Sequence, residues 1–257
     1  MRQGSRRRLC LLPLAFFASM SLADAPRVAA AADLKFALGE IAATYAQQTG
    51  SKVQISFGSS GNFARQIPQG APFDLFLSAD EDYIFRLAAQ GLLRDRGRLY
   101  AIGRIALLAP PGSPLPVDGQ LRGLAATLAD GRLQRLAIAN PAHAPYGRAA
   151  RAALEHAGLW QALQGRLVFG ENVAQAAQFA LSGSAQGGIV AWSLVRSPEL
   201  SERGEAALIP ESWHPPLRQR MALTRRASPE ATAFYDYLQQ PAARAVFEHY
   251  GFSLPAR

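Results

Sequence analysis

Hydrophobic and polar positions along the chain follow two periodicities, one typical of short buried strands and the other of amphipathic helices. Short apolar runs such as "FDLFLSA", "IALLAP" and "GGIVAW" predict strands. Helical patterns lie between such runs. The clearest is "DLKFALGEIAATYAQQTG", whose apolar face runs from Leu34 to Tyr45 and whose end is predicted at Gly50. This alternation predicts an α/β protein with largely parallel sheets.

Residues 1–23 have the pattern of an export signal. A basic stretch, "MRQGSRRR", precedes the apolar run "LCLLPLAFFASMSL", and small residues follow. We expect cleavage after Ala23 and a mature protein in the periplasm. The apolar run is short for a membrane span, which disfavours the alternative of an uncleaved anchor. "SRRRLCL" resembles a twin-arginine signal only loosely, which favours Sec export.

Composition narrows the functional classes. The 257 residues are 49% hydrophobic and 18% charged, as in a globular protein of one large or two modest domains. The net charge of +8 falls to +4 without the four arginines of the signal, and no basic stripe remains, so nucleic-acid binding is not expected. Cys10, the only cysteine, lies in the signal, which leaves no disulfide, thiolate or cysteine metal site in the mature chain.

Four strand-to-helix turns carry the candidate chemistry: "AAAADLKF", "FGSSGNFARQI", "ANPAHAPYGRAA" and "GENVAQAAQ". Ligands of open α/β sheets bind where strands end and helices begin, because the first N–H groups of a helix attract anions. Each turn alone is also explained by capping, with Asp33 or Asn172 as the cap, or by packing of Tyr146. Together, four turns that are poor in charge and have no arginine or lysine in their cores predict an oxyanion site built from neutral dipoles.

The ordered set "GSSGNFARQIPQGAPFDLFLSAD", "YAIGRIALLAP", "IANPAHAPYG", "ENVAQAAQ" and "AFYDYL" resembles the periplasmic molybdate-binding proteins of ABC transporters. The resemblance covers almost the whole mature chain. It implies a two-lobed type II binding-protein fold, in which each lobe is a mostly parallel sheet flanked by helices and two crossover strands join the lobes. Lobe 1 would hold 26–104 and 219–257, and lobe 2 would hold 105–218.

The resemblance also implies the ligand contacts. Molybdate, or tungstate, would bind in the cleft through the hydroxyl and N–H of Ser60, the hydroxyl of Tyr146 and the N–H of Val173. Molybdenum would thus reach the protein only as molybdate. No further cofactor is implied. The closed protein, expected to be a monomer, would dock on a membrane permease.

Ala32 and Asp33 occupy the remaining ligand positions, where some relatives have Ser or a Thr-Asn pair. Ala32 has no hydroxyl, and Asp33 can carry a negative charge. Three alternatives follow, in order of preference: the turn contributes only backbone N–H groups, Asp33 turns away as a cap, or Asp33 accepts a proton from a protonated oxyanion.

Three rival functions remain. The same fold could bind sulfate, phosphate or an organic anion. A hydrolase would use Ser60 as nucleophile with a base such as His143, but no acidic partner is evident and no enzymatic activity is expected. "SADED" could bind a cation, but it lacks calcium-loop spacing and is better explained as a helix start.

Overall fold

The computed structural model describes residues 25–255. The predicted signal peptide, its cleavage site and Cys10 lie outside the described residues. No helix within 25–255 combines the length and apolar character that crossing a membrane requires.

Within residues 25–255, ten strands form two sheets of five, one in each lobe. The first sheet has the order β2-β1-β3-β10-β4 and the second the order β7-β6-β8-β5-β9. The strands are β1 Arg27–Ala31, β2 Gln54–Gly58, β3 Leu75–Ser78, β4 Arg98–Gly103, β5 Ile105–Ala109, β6 Leu136–Ala139, β7 Leu167–Gly170, β8 Gly188–Ala191, β9 Glu205–Leu208 and β10 Leu217–Leu223.

Helices cover the sheets and connect most of the strands. They are α1 Lys35–Thr49, α2 Ser60–Gln66, α3 Glu81–Ala89, α4 Arg122–Ala129, α5 Pro145–His156, α6 Val173–Leu181, α7 Trp192–Val195, α8 Pro198–Ser201, α9 Pro229–Tyr237 and α10 Pro241–His249. Two 3-10 turns, Ala32–Leu34 and Glu211–Trp213, complete the described elements.

The predicted α/β two-lobed fold is confirmed, but the sheets are mixed rather than mostly parallel. In each sheet two strand pairings are parallel and two are antiparallel. The antiparallel pairings are those of β10 with β3 and β4 and those of β5 with β8 and β9. The chain passes from the first sheet to the second at Arg104, between β4 and β5, and returns between β9 and β10. Strands beside these crossings are not joined by a crossover helix within one sheet, so they need not run parallel to their neighbours. The assignment of every residue to a lobe stays a prediction.

Strand alternation buries both faces of the first sheet. Leu75 and Leu77 of β3 pack with α1 in one cluster, while Phe76 between them packs with α2 and α3 in another. The second lobe has one continuous core, to which Ala31 and Ala32 of the first lobe also belong. The two lobes are therefore in apolar contact beside the turn that follows β1.

The sequence predicts the amphipathic helices and the strongly apolar strands, such as β3, β5 and β8, but not the weakly patterned strands. The predicted face of α1 is buried, and Gly50 ends the helix with a φ of 73° that favours glycine. β4 and β9 were missed. β9 reads "EAAL", which has no β-branched or aromatic residue, and β4 reads "RLYAIG" directly before the stronger signal of β5.

Candidate functional site

A small cavity lies between the two lobes, with a volume of about 10 Å³ for the centre of a water-sized molecule, which is roughly the space that one water needs. All of its lining residues are uncharged: Ala31, Gly58, Ser59, Ser60, Ala79, Ala144, Pro145, Tyr146, Asn172 and Val173. Three helices begin at this cavity, α2 at Ser60, α5 at Pro145 and α6 at Val173. The four turns singled out from the sequence therefore meet at one place, two from each lobe.

Ser60 is held by its neighbours in a way that leaves two donors unused. Its side chain is buried, and its hydroxyl oxygen accepts the backbone N–H of Ala79 at 3.0 Å. The hydroxyl hydrogen can therefore be donated to a further acceptor. The N–H of Ser60 is at the start of α2 and has no acceptor among residues 25–255.

Asn172 caps α6, as its position before the helical pattern predicts. Its side-chain oxygen accepts the N–H groups of Ala174 at 3.0 Å and Gln175 at 3.1 Å. The N–H groups of Val173 and Ala174 both lie at the start of the helix. The cap takes the N–H of Ala174, and within 25–255 only that of Val173 is left without an acceptor.

Tyr146 lies in the first turn of α5, which starts at Pro145 as predicted. Its hydroxyl donates to Oδ2 of Asp33 at 2.9 Å and accepts from Nε2 of Gln219 at 3.1 Å. Burial, and next the nearby charge of Asp33, raise the pKa of Tyr146 well above its usual range. The tyrosine hydroxyl therefore keeps its proton and can act as a donor.

Asp33 does not cap a helix, and the cap alternative is wrong. Neither the 3-10 turn nor α1 has a side-chain cap, because the carboxyl turns inward and only 1% of the residue is exposed. Oδ2 also accepts from Gln219 at 2.6 Å, whereas Oδ1 is buried without a partner among the described residues. Burial raises the pKa of Asp33 from 3.8 to about 6, against the hydrogen bonds from Gln219 and Tyr146, which lower it.

The residues of the first turn face in different directions. Ala31 lines the cavity, whereas Ala32 faces a groove between α1 and α6 outside it. Asp33 lies behind Tyr146, one hydrogen bond from a cavity-lining side chain. Sequence reasoning missed Gln219, although the alternation in "LRQRMAL" places this amide on the same buried face as Met221.

The two lobes are joined at the cavity by the backbone carbonyl of His143. Three groups of the first lobe donate to this oxygen: the hydroxyl of Ser59 at 2.7 Å, the N–H of Gly61 at 3.0 Å and the hydroxyl of Tyr83 at 3.4 Å. A side chain at position 61 would overlap the same carbonyl and lie 2.7 Å from the Tyr83 oxygen. Glycine is thus required for this close approach between the lobes.

The imidazole of His143 adds a second connection. Its Nδ1 lies 2.9 Å from the hydroxyl oxygen of Ser59, and its Nε2 lies 3.5 Å from Glu171. Glu171 in turn accepts from Asn62 of the first lobe. His143 thus has an acidic neighbour that the sequence did not reveal, but its serine partner is Ser59 rather than Ser60.

A third connection between the lobes involves Arg148 of α5, which pairs with Asp80 and donates to the hydroxyl of Tyr83 at 2.9 Å. Asp80 also caps α3 by accepting the N–H of Asp82 at 2.9 Å. The prediction that "SADED" begins a helix is therefore confirmed, with the helix starting at Glu81.

The chain is similar in sequence and structure to bacterial solute-binding proteins. Residues 26–253 match the family model of bacterial extracellular solute-binding proteins. The chain is 38% identical over 232 residues to the molybdate-binding protein ModA of Azotobacter vinelandii, with 89% of each chain covered. It is 34% identical to ModA of Rhodobacter capsulatus, covering 83% of this chain and 82% of the relative. The solved structure of the Azotobacter vinelandii periplasmic molybdate-binding protein has a TM-score of 0.82 at 33% identity, covering 90% of this chain and all of that one.

The buried carboxyl predicts that Asp33→Asn stabilises the ligand-free protein in a pH-dependent way. Because the folded-state pKa is raised, the contribution of Asp33 is fully present below 3.8 and is lost as the pH rises through about 6. The variant should gain up to about 3 kcal/mol in free energy of unfolding at pH 8 and little at pH 4. Urea unfolding at both pH values measures this, with the exposed Asp236→Asn as control. An equal effect of Asp33→Asn at both pH values would contradict the assignment.

Proposed function

The chain belongs to the bacterial extracellular solute-binding proteins, and on that premise we propose that it captures molybdate between its lobes and delivers it to the membrane permease of an ABC transporter. The name of the similar proteins from Azotobacter and Rhodobacter supports molybdate as the ligand. Tungstate would be a second ligand, since it is a tetrahedral dianion of nearly equal size. The protein would act in the periplasm as a monomer after removal of its signal peptide.

One observation carries this proposal: an uncharged interlobe cavity with donors from both lobes that have no acceptor among residues 25–255. Ser60 offers a hydroxyl and an N–H from lobe 1, and Val173 offers an N–H from lobe 2. Such dipoles are oriented before a ligand arrives and stabilise an oxyanion without a fixed counter-charge. All contacts would be made to oxygen atoms, so Ser60, Tyr146 and Val173 would bind molybdate without touching the metal.

Tyr146 would be the donor that links ligand binding to the second lobe. Its hydroxyl is buried at the cavity and donates a hydrogen bond to Asp33 in the closed structure. Binding would therefore require the hydroxyl to turn from Asp33 to the oxyanion. Ala32 and Asp33 would take part differently. Ala32, whose side chain faces a groove outside the cavity, would contribute only its backbone N–H, and Asp33 would act through Tyr146.

Closure of the lobes would trap the oxyanion. Three contacts can form only when the lobes meet. They are the hydrogen bonds to the His143 carbonyl, the hydrogen bond of Asn62 with Glu171 and the ion pair of Arg148 with Asp80. A ligand with donors from both lobes stabilises the closed form by its difference in affinity for the two states. The permease would then receive a closed, loaded protein.

A hydrolase role has less support. Ser59 donates its proton to the backbone carbonyl of His143 at 2.7 Å, so the neighbouring imidazole is not arranged to remove it. Ser60 has no histidine partner within the described residues, and its oxygen is occupied by Ala79. We therefore propose a binding protein without enzymatic activity. Sulfate or phosphate on the same fold is the remaining alternative, since fold alone does not set the ligand.

Calorimetric titration of the mature protein tests the ligand. Molybdate and tungstate should bind with similar affinity, while sulfate and phosphate should bind more weakly. Each anion is titrated separately and then against protein that already holds molybdate. Tight binding of sulfate without a response to molybdate would contradict the proposal in favour of the alternative oxyanion.

Tyr146→Phe tests the second-lobe donor. Loss of a buried hydroxyl donor to a charged ligand should weaken molybdate binding by about 1–3 kcal/mol. Tyr250→Phe is the matched control, because its hydroxyl donates to Glu40 on the surface of lobe 1, away from the cavity. If both variants keep the parent affinity, Tyr146 is not a ligand donor.

Gly61→Ala tests closure. The added methyl group overlaps the His143 carbonyl across the cleft, so molybdate binding should weaken by roughly 1–3 kcal/mol, the usual cost of overpacking. Small-angle scattering should show less contraction on adding molybdate than in the parent protein. Gly39→Ala serves as control, since its methyl group would meet no atom within 4 Å. Full contraction of the Gly61 variant would show that the lobes close by another contact.

A further inference from the structure

A buried carboxyl group lies directly behind the wall of the proposed oxyanion site. Oδ2 of Asp33 accepts from Tyr146 at 2.9 Å and from Gln219 at 2.6 Å. Its other oxygen, Oδ1, is buried and has no partner among residues 25–255. An ionised carboxylate with one unsatisfied buried oxygen is unfavourable, whereas a neutral carboxylic acid loses much less by the same burial.

The groups that face this carboxyl supply no positive charge. Tyr146 on α5 and Tyr100 on β4 are the titratable groups coupled to it, and both are acids that stay neutral. The elements α6, α7 and β2, which also pack against the Ala32–Leu34 turn, contain no charged residue. The hydroxyl of Ser193 on α7 donates only to the backbone carbonyl of Asp33, at 2.8 Å.

The charged side chains of α1 and of the part of β10 around Gln219 are directed away from Asp33. Lys35 and Glu40 of α1 are exposed to solvent. The two arginines of β10 that flank Gln219, Arg218 and Arg220, both pair with Glu81. Within the described residues, then, the ionised form of Asp33 is balanced by hydrogen bonds alone.

Ligand binding and ionised Asp33 compete for the same hydrogen atom. The hydroxyl of Tyr146 has one hydrogen, which it donates to Asp33 in this structure. It cannot donate the same hydrogen to an oxyanion at the same time. A dianion in the cavity would also repel a carboxylate one hydrogen bond away, in surroundings that screen charge poorly. Both conflicts disappear when the carboxyl takes up a proton.

We propose that the site takes up its oxyanion together with one proton, which is held by Asp33. The inference rests on the proposed function and adds the charge state of the complex to it. The proton comes from solvent and binds Oδ2, which then donates to the oxygen of Tyr146. The hydroxyl of Tyr146 turns and donates to an oxygen of the ligand. One O–H bond forms at the carboxyl group, one bond to hydrogen breaks in the solvent species that gives the proton, and no other covalent bond changes.

Gln219 is the positioning residue of this exchange. Its Nε2 lies 2.6 Å from Oδ2 of Asp33 and 3.1 Å from the oxygen of Tyr146, so it contacts both partners. The hydroxyl of Tyr100 donates to Oε1 of Gln219 at 2.7 Å, which fixes the orientation of the amide. The amide donor favours the ionised form of Asp33 and so sets the pH at which the proton is taken up.

The pKa of Asp33, raised by burial to about 6, gives the sign and range of the effect. Above this pH the ligand-free protein is ionised at Asp33, and a proton must be added on binding. Affinity should therefore fall as the pH rises above about 6, by up to about tenfold per pH unit, and should be constant below.

Calorimetry of the mature protein with molybdate tests the proton directly. Titrations at pH 8 in two buffers with different enthalpies of ionisation give the number of protons taken up, which should be close to one. The dissociation constant is also measured from pH 6.5 to 8.5, where free molybdate keeps one charge state. In Asp33→Asn, proton uptake and pH dependence should both be absent, whereas Asp236→Asn on the surface should behave like the parent.

Gln219→Met separates positioning from mere structural support. Loss of the amide donor should move the onset of the pH dependence to higher pH, whereas structural damage would weaken binding equally at every pH. Tight binding of molybdate by the parent protein with no proton uptake and no pH dependence overturns this inference and leaves the proposed function standing. Absence of molybdate binding at every pH overturns the proposed function itself.

Discussion

An anion site without a cation must consist of N–H and O–H dipoles that are aimed before the anion arrives. In this protein that constraint governs the whole cleft. Each lobe presents the end of its sheet to the other, so the starts of α2, α5 and α6 meet around one cavity. The same arrangement is consistent with the neutral lining, because a charged side chain in direct contact with the cavity would outweigh the oriented dipoles.

Donors remain available at the cavity because other groups of the turns are satisfied elsewhere. Asn172 accepts the second and third N–H groups of α6 and leaves the first. Ser60 accepts from Ala79, which orients its hydroxyl without consuming its hydrogen. Ser59, by contrast, gives its hydrogen to the carbonyl of His143. The two neighbouring serines thus differ in their partners rather than in their chemistry: Ser59 joins the lobes, and under the proposed function Ser60 would donate to the ligand.

The distance along the chain between bonded partners determines which features of the site the sequence could predict. Local signals sufficed for the long helices, for the caps at Asp80 and Asn172, and for the four turns, because each depends on residues a few positions apart. The contacts between turns join residues far apart in the chain, such as Ser59 with His143 and Asp33 with Gln219. No local pattern encodes them. The cap assigned to Asp33 failed for this reason: an aspartate before a helix is usually a cap, but here an amide from a distant strand binds it instead.

Under the proposed function, Asp33 would make a negative side chain compatible with an anion site because the acid is buried. An arginine at this place would attract every anion of suitable size and would hold its charge at any physiological pH. A buried carboxyl without a cation instead repels a ligand until it is protonated, and once protonated it becomes a donor to Tyr146. The group that opposes binding in one protonation state therefore orients the ligand donor in the other. The selectivity of such a site depends on the proton as well as on the shape of the cavity.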